Sequence, residues 1–198
     1  MAKQTKEDII LTARDLFNKH GYNSISMRDI ANELEISVGN LTYHFKKKED
    51  LIEEVVNYKH RNYKKIDVPK SIEDLNTFFI NALNIQNENA YYFKHFDQLA
   101  QISPKIYNLQ RSTIKELHEL LRKSFETLVD LNLMKKFSNT TQMVNIIDCI
   151  LTILIYKPVS CKEFNEDDSI KNTIDCLWSI LFMYLTNEGQ NIYYSINS

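Results

Sequence analysis

Apolar residues recur along this chain every three or four positions, the spacing of one face of an α-helix, and they seldom alternate with polar ones. Ile9, Ala13, Leu16 and Phe17 set the first stripe, preceded by Thr5-Lys6-Glu7-Asp8 at capping-box spacing and closed by Gly21. Ser26-Met27-Arg28-Asp29 repeats the start signal ahead of Met27, Ile30, Ala31 and Leu34, the stripe of a short helix. After a tight interval at Glu35-Ile36, Ser37 caps a third helix whose Val38, Leu41 and Phe45 are expected to face inward. A fourth begins near Lys48 and runs to about Lys65, with Leu51, Ile52, Val55 and Val56 on one side. Two short helices joined by a tight turn behind a longer one predict a helix-turn-helix, the arrangement whose second helix enters a DNA major groove.

The basic tail YKHRNYKK then leads into Asp67-Val68-Pro69, which reads as a linker and divides the chain into residues 1–66 and 67–198. Ser71 caps a helix carrying Leu75, Phe78, Phe79 and Leu83, an aromatic-rich helix follows over 90–101, and Pro104 opens a long one reaching about Leu133. The segments 140–156 and 170–186 close the pattern, so the fold class is all-α. The run from Met143 to Tyr156 is apolar nearly all round, although Asn145 and Asp148 interrupt it and it falls short of the ~20 residues that span a bilayer. A helix apolar on every side must be covered on every side, and a second copy of the chain is the simplest cover.

Composition agrees with helices: the chain has 198 residues, 43% of them hydrophobic and 25% charged, and its 3 Gly and 3 Pro leave few breaks. The net charge of −2 hides an asymmetry, with 12 Lys+Arg against 10 Asp+Glu in residues 1–65 and 12 against 16 afterwards. So small an excess says little about nucleic acid; the positions of the charges must carry that case. Cys149, Cys161 and Cys176 form no CxxC pair, which points to small core residues and not to a disulfide framework or zinc site. His95 and His118 have no partner at metal-ligand spacing, so no metal and no cofactor are expected. The N-terminus lacks the apolar stretch of a signal peptide, which predicts a cytoplasmic protein. Nucleophile-elbow, phosphate-loop and HExxH motifs do not occur, which argues against an enzyme.

Gly39 sits near the start of the third helix, where glycine costs roughly 1 kcal/mol relative to alanine. A missing side chain there lets the backbone approach DNA closely. Its neighbours suit the same orientation. Ser37 can donate to phosphate, Asn40 suits adenine, Val38 suits a thymine methyl, and Thr42, Tyr43 and His44 offer donors toward the backbone. Lys46, Lys47 and Lys48 surround the start of the fourth helix, where their charge fits DNA better than the helix dipole. Ser26 and Arg28 join this set at the start of the second helix.

The stretch from Ile10 to Val56 resembles the DNA-binding domain of the tetracycline repressor (TetR/AcrR) family, in Ala13, Leu16, Phe17, Gly21, Ile30, Ala31, Ser37, Gly39, Leu41, His44, Phe45, Lys48 and Leu51. Two positions depart from the family pattern: Thr42 stands where the family has a phosphate-contacting tyrosine, and Glu35 replaces the customary turn glycine. The resemblance implies a transcriptional regulator, most simply a repressor that binds a palindromic operator in double-stranded DNA as a homodimer and is released by a small effector. It also implies that residues after the linker form a ligand-binding and dimerisation domain, with its last two helices pairing between subunits. Phe78, Phe79, Tyr92, Phe93, Phe96 and Tyr107 are candidates to line a pocket for an apolar or aromatic effector. Ile147, Leu151, Ile155, Leu177, Trp178 and Leu181 are candidates for the dimer interface. The rival reading keeps the fold as a ligand-sequestering or protein-docking dimer without DNA binding.

Overall fold

The computed structural model describes residues 5–62, 66–163 and 169–196, with the side chains of all but 59, 61, 62, 161–163 and 169. The described residues are helical, apart from connecting segments and one isolated antiparallel bridge between Met134 and Leu185. They fall into two compact units, which are taken in turn.

The first unit opens with α1 (Lys6–His20), α2 (Met27–Glu33), α3 (Val38–His44) and α4 (Lys48–Asn62). The first three starts are set locally. Thr5 accepts from the Asp8 amide while the Asp8 carboxylate accepts from the Thr5 amide, and Ser26 and Asp29 repeat that reciprocal box. Ser37 accepts from the Asn40 amide at 3.1 Å. Gly21, at φ 82°, ends α1 in a conformation that a side chain resists, and its N–H donates to the Phe17 carbonyl. Between α2 and α3 the chain turns through Glu35 at φ 53°. The turn keeps its left-handed residue without glycine, at a cost of about 1 to 2 kcal/mol. Ile9, Ile10, Ala13, Phe17, Ile30, Ala31, Leu41, Phe45, Leu51, Ile52, Val55 and Val56 close one core. The fourth helix is described as far as Asn62, and the expected extension over 63–65 lies outside the described residues.

That core is completed from further along the chain, so the compact units cut the sequence differently from a division at residue 66. Residues 88–110 belong to the first unit. They form α6 (Ala90–Lys94), α7 (Phe96–Ile102) and the opening turns of α8 (Pro104–Asp130), and they insert Tyr91, Tyr92, Leu99 and Ile106 among the residues above. The single helix expected over 90–101 is broken at His95, whose backbone sits at φ −114°, ψ 25°. Three polar links seat the segment. Asn18 donates to the Glu88 carbonyl and accepts from the Tyr91 amide, Asn23 and Gln98 exchange paired amide bonds, and Ser103 and Lys105 both donate to Glu53.

The second unit holds α5 (Ile72–Glu88), the rest of α8, α9 (Thr140–Glu163), α10 (Ser169–Leu181), a 3-10 turn at Phe182–Tyr184, and α11 (Asn187–Ile196). Its core includes Phe79, Leu121, Phe125, Leu128, Ile147, Ile150, Leu177, Trp178, Leu181 and Leu185. The sequence pattern did not announce α11, because it merged residues 182–186 into the preceding helix. Thr186 and Gly189 dock α11 on the turn after α8: Thr186 donates to the Asn132 and Leu133 carbonyls, and a Cβ on Gly189 would lie 2.2 Å from the Leu133 oxygen. α9 continues past Tyr156 and through Pro158, so the stretch Thr140–Ser160 is long and apolar enough, by length and composition, to cross a membrane; a third of it is buried.

Most of the candidate dimer residues face the interior of this unit. Ile147, Leu151, Leu177, Trp178 and Leu181 are buried in this unit's own core, and Trp178 donates its indole N–H to Asn76. Only Ile155 of the six stands partly exposed. The helical period marks which positions are apolar, but not which of two apolar faces turns inward.

Candidate nucleic-acid interface

The apolar stripe of α3 fixes which side of it is free. Leu41 and Phe45 are buried, so Ser37, Val38, Gly39, Asn40 and Tyr43 are turned to solvent, and Tyr43 is 85% exposed. Val38 is 38% exposed, so it lies on the rim of this face and not inside, as the stripe alone suggested. Among the described residues nothing requires Gly39 to be glycine. Its φ is unexceptional, and a Cβ would meet only the Ser37 Oγ, at 3.8 Å. The helix forgoes a side chain on an open face, which is what a surface needs if another backbone is to come close.

Several candidate contacts have their polar groups committed locally. The Ser26 hydroxyl donates to Asp29 Oδ2 at 2.6 Å within its capping box, which holds the Asp29 carboxyl below its usual range. Thr42 Oγ1 donates to the Gly39 carbonyl at 3.1 Å. His44 is half-buried with its ring edge-to-face on Tyr43, at 5.3 Å and 84°. Arg28 is exposed at the start of α2.

The lysine run divides. Lys46 and Lys47 are exposed, whereas Lys48 turns inward: its ammonium donates to the Tyr22 carbonyl and lies 4.0 Å from the Tyr22 ring centre and 5.8 Å from that of Phe17. Burial lowers the pKa of Lys48, against the pull of Glu49 and Asp29, and burial pushes the Tyr22 hydroxyl up to about 12. Lys48 shares the spacing of Leu51, Ile52 and Val55, a signal that places it on the buried stripe of α4. Lys47 belongs in the outward set in its place.

The six candidate pocket residues are divided between the two units. Phe78 and Phe79 lie in the core of the second unit, and Phe79 meets Trp178 edge-on at 6.1 Å. Tyr92, Phe93 and Phe96 cluster in the first unit, with Phe93 and Phe96 stacked at 6.4 Å, while Tyr107 is exposed. An open depression between α1 and α2, lined by Leu16, His20, Ser24, Ile25, Asp29, Asn32 and Glu33, contains none of the six. Among the described residues no three metal-ligating side chains gather.

The bacterial regulatory proteins of the tetR family match residues 9–55, which hold α1 to α3 and most of α4. The HTH-type transcriptional regulator QacR of Staphylococcus aureus is 27% identical over 129 residues, 59% of this chain and 69% of that protein. The uncharacterised HTH-type transcriptional regulator YuxN of Bacillus subtilis is 28% identical over 182 residues, 87% of this chain and 62% of that one. Among solved structures, a TetR-family transcriptional regulator from Marinobacter aquaeolei VT8 has a TM-score of 0.87 at 20% identity, covering 98% of this chain and 97% of its own, which shows the fold. Residues 9–55 are the helix-turn-helix domain of the tetR family of bacterial regulatory proteins, and the chain has the fold of a TetR-family transcriptional regulator over nearly all its length.

Proposed function

We propose that the protein is a repressor. A homodimer sets two copies of α3 about 34 to 36 Å apart, in successive major grooves of a palindromic operator. The observation that carries this reading is the outward face of α3, where Gly39 is bare although nothing among the described residues demands it. Asn40 stands beside it to reach adenine, and Lys46, Lys47 and Arg28 supply charge for phosphates. Such a protein works in the cytoplasm, where its operator is.

The dimer is built through the outer faces of α9 and α10. The inner face of α9 is spent on the core, leaving Cys149, Thr152 and Tyr156 exposed and Ile155 partly so.

A small apolar or aromatic effector relieves repression. It can release DNA only if it binds more tightly to a conformation whose recognition helices are misplaced. Residues 88–110 supply the mechanical link, because Asn18 ties them to α1 and Glu53 ties them to α4. Of the candidate pocket residues, Tyr92, Phe93 and Phe96 sit on this segment, so a ligand that displaces them pulls on both helices.

Selecting bound duplexes from random DNA tests the proposal. A recovered palindrome with affinity that falls steeply as salt rises supports it. Failure to enrich any duplex favours a helical dimer that sequesters ligands or docks proteins without touching DNA.

A further inference from the structure

Resting on the DNA-binding reading above, we propose that Tyr43 reads sequence from α3 by laying its ring on a thymine methyl group in the major groove, while the Thr42 hydroxyl contacts no phosphate.

Tyr43 is the most exposed of the large apolar side chains among the described residues. Exposing a ring is unfavourable for the isolated protein, and the His44 edge at 5.3 Å steadies it without covering it. Its position explains the exposure. Residues 39, 40 and 43 share one strip of a helix, being three and four apart, so Tyr43 stands in line with bare Gly39 and with Asn40. Helical side chains lean toward the N-terminus, which inclines the Tyr43 ring toward the gap that Gly39 leaves. The pair forms a knob beside a hollow. In the major groove the apolar group on offer is the thymine 5-methyl, while Asn40 matches the donor and acceptor of adenine.

Thr42 is differently placed. It is half-buried, and its hydroxyl proton is already given to the Gly39 carbonyl at 3.1 Å. A hydroxyl has one proton, so it cannot donate to phosphate without breaking that bond. The neighbour on the groove side takes over the contact and changes its nature, from anchoring the backbone to reading a base.

The test uses the full-length protein and the duplex recovered by selection, with an unrelated duplex as control. Tyr43→Ala is expected to weaken binding to the recovered duplex about tenfold or more and to the control by less than about twofold, with an unchanged melting temperature. Tyr43→Phe keeps the ring and should bind within about threefold of wild type, and Thr42→Val should match wild type. Replacing the contacted thymine by deoxyuridine should weaken wild type about threefold or more and leave Tyr43→Ala unaffected. Equal losses on both duplexes with Tyr43→Ala, a loss with Thr42→Val, or a deoxyuridine penalty that persists in Tyr43→Ala would each overturn the assignment. If wild type enriches no duplex at all, the DNA-binding reading itself fails, an outcome distinct from these.

Discussion

Lys48 donates its ammonium to the main-chain carbonyl of Tyr22, with the ring of the same tyrosine 4.0 Å away. One member of a lysine run is thereby withdrawn from the surface to hold the start of α4 against the turn that follows α1.

That division of labour gives opposite expectations for three adjacent substitutions. Lys46→Ala and Lys47→Ala should each reduce the slope of log affinity against log salt by about 1 and leave stability alone. Lys48→Ala should instead lower stability by on the order of 1 kcal/mol, through loss of a charged hydrogen bond and a cation–π contact. Salt titrations on DNA and urea melts of the three variants separate the two roles.

Acid should loosen the first unit through Glu53. Hydrogen bonds from Lys105 and Ser103 hold its carboxyl below the ordinary value of 4.5, against a smaller opposing effect of burial. Its pKa is therefore lower folded than unfolded. The stability it contributes is complete above about pH 4.5 and is lost as pH falls through the folded value. Urea midpoints at about pH 7 and about pH 3.5 should show a smaller acid-induced drop for Glu53→Gln than for wild type.

Gly189 answers a different need from Gly39. Any Cβ there would be driven into the Leu133 carbonyl oxygen, 2.2 Å away, and that oxygen is main chain and cannot swing aside. Gly189→Ala should cost on the order of 3 kcal/mol as α11 is pushed off the turn after α8. Differential scanning calorimetry would register this as a clear fall in Tm.

On the outer face of α9, Ile155→Asp should dissociate the proposed dimer. It places an unpaired carboxylate where the second copy packs, at a cost on the order of 3 kcal/mol to association. Sedimentation velocity should show a shift from dimer to monomer at fixed concentration, with helix content retained.

The first four helices were legible because their signals are local. Thr5, Ser26 and Ser37 start the first three, Gly21 ends the first, and the stripes holding Ile9, Ile30 and Leu41 begin within a few residues of those caps; the stripe of the fourth, Leu51 to Val56, shows in its own spacing. What stayed hidden depends on distant partners. Nothing near Tyr91 or Leu99 says that they complete the core of α1 and α4, since Asn18 and Glu53 decide it from about fifty or more residues away. The burial of Leu177 and Trp178 in their own unit is hidden for the same reason: apolar spacing is identical whether a face meets its own core or a second chain. The inward turn of Lys48 was readable from its register with Leu51 and Val55, but three lysines in succession argue for surface. At the interface, the outward set of Gly39, Asn40 and Tyr43 follows directly from Leu41 and Phe45 facing in.

Substituting Gly39 by alanine, and following stability and DNA affinity in the same samples, tests the central claim most directly. The site has room for a methyl group on a helical backbone, so the variant should be more stable by about 0.5 to 1 kcal/mol. Its affinity for the recovered duplex should fall about tenfold, because the added carbon stands where the groove wall must approach. Unchanged affinity would mean that DNA does not meet this face of α3.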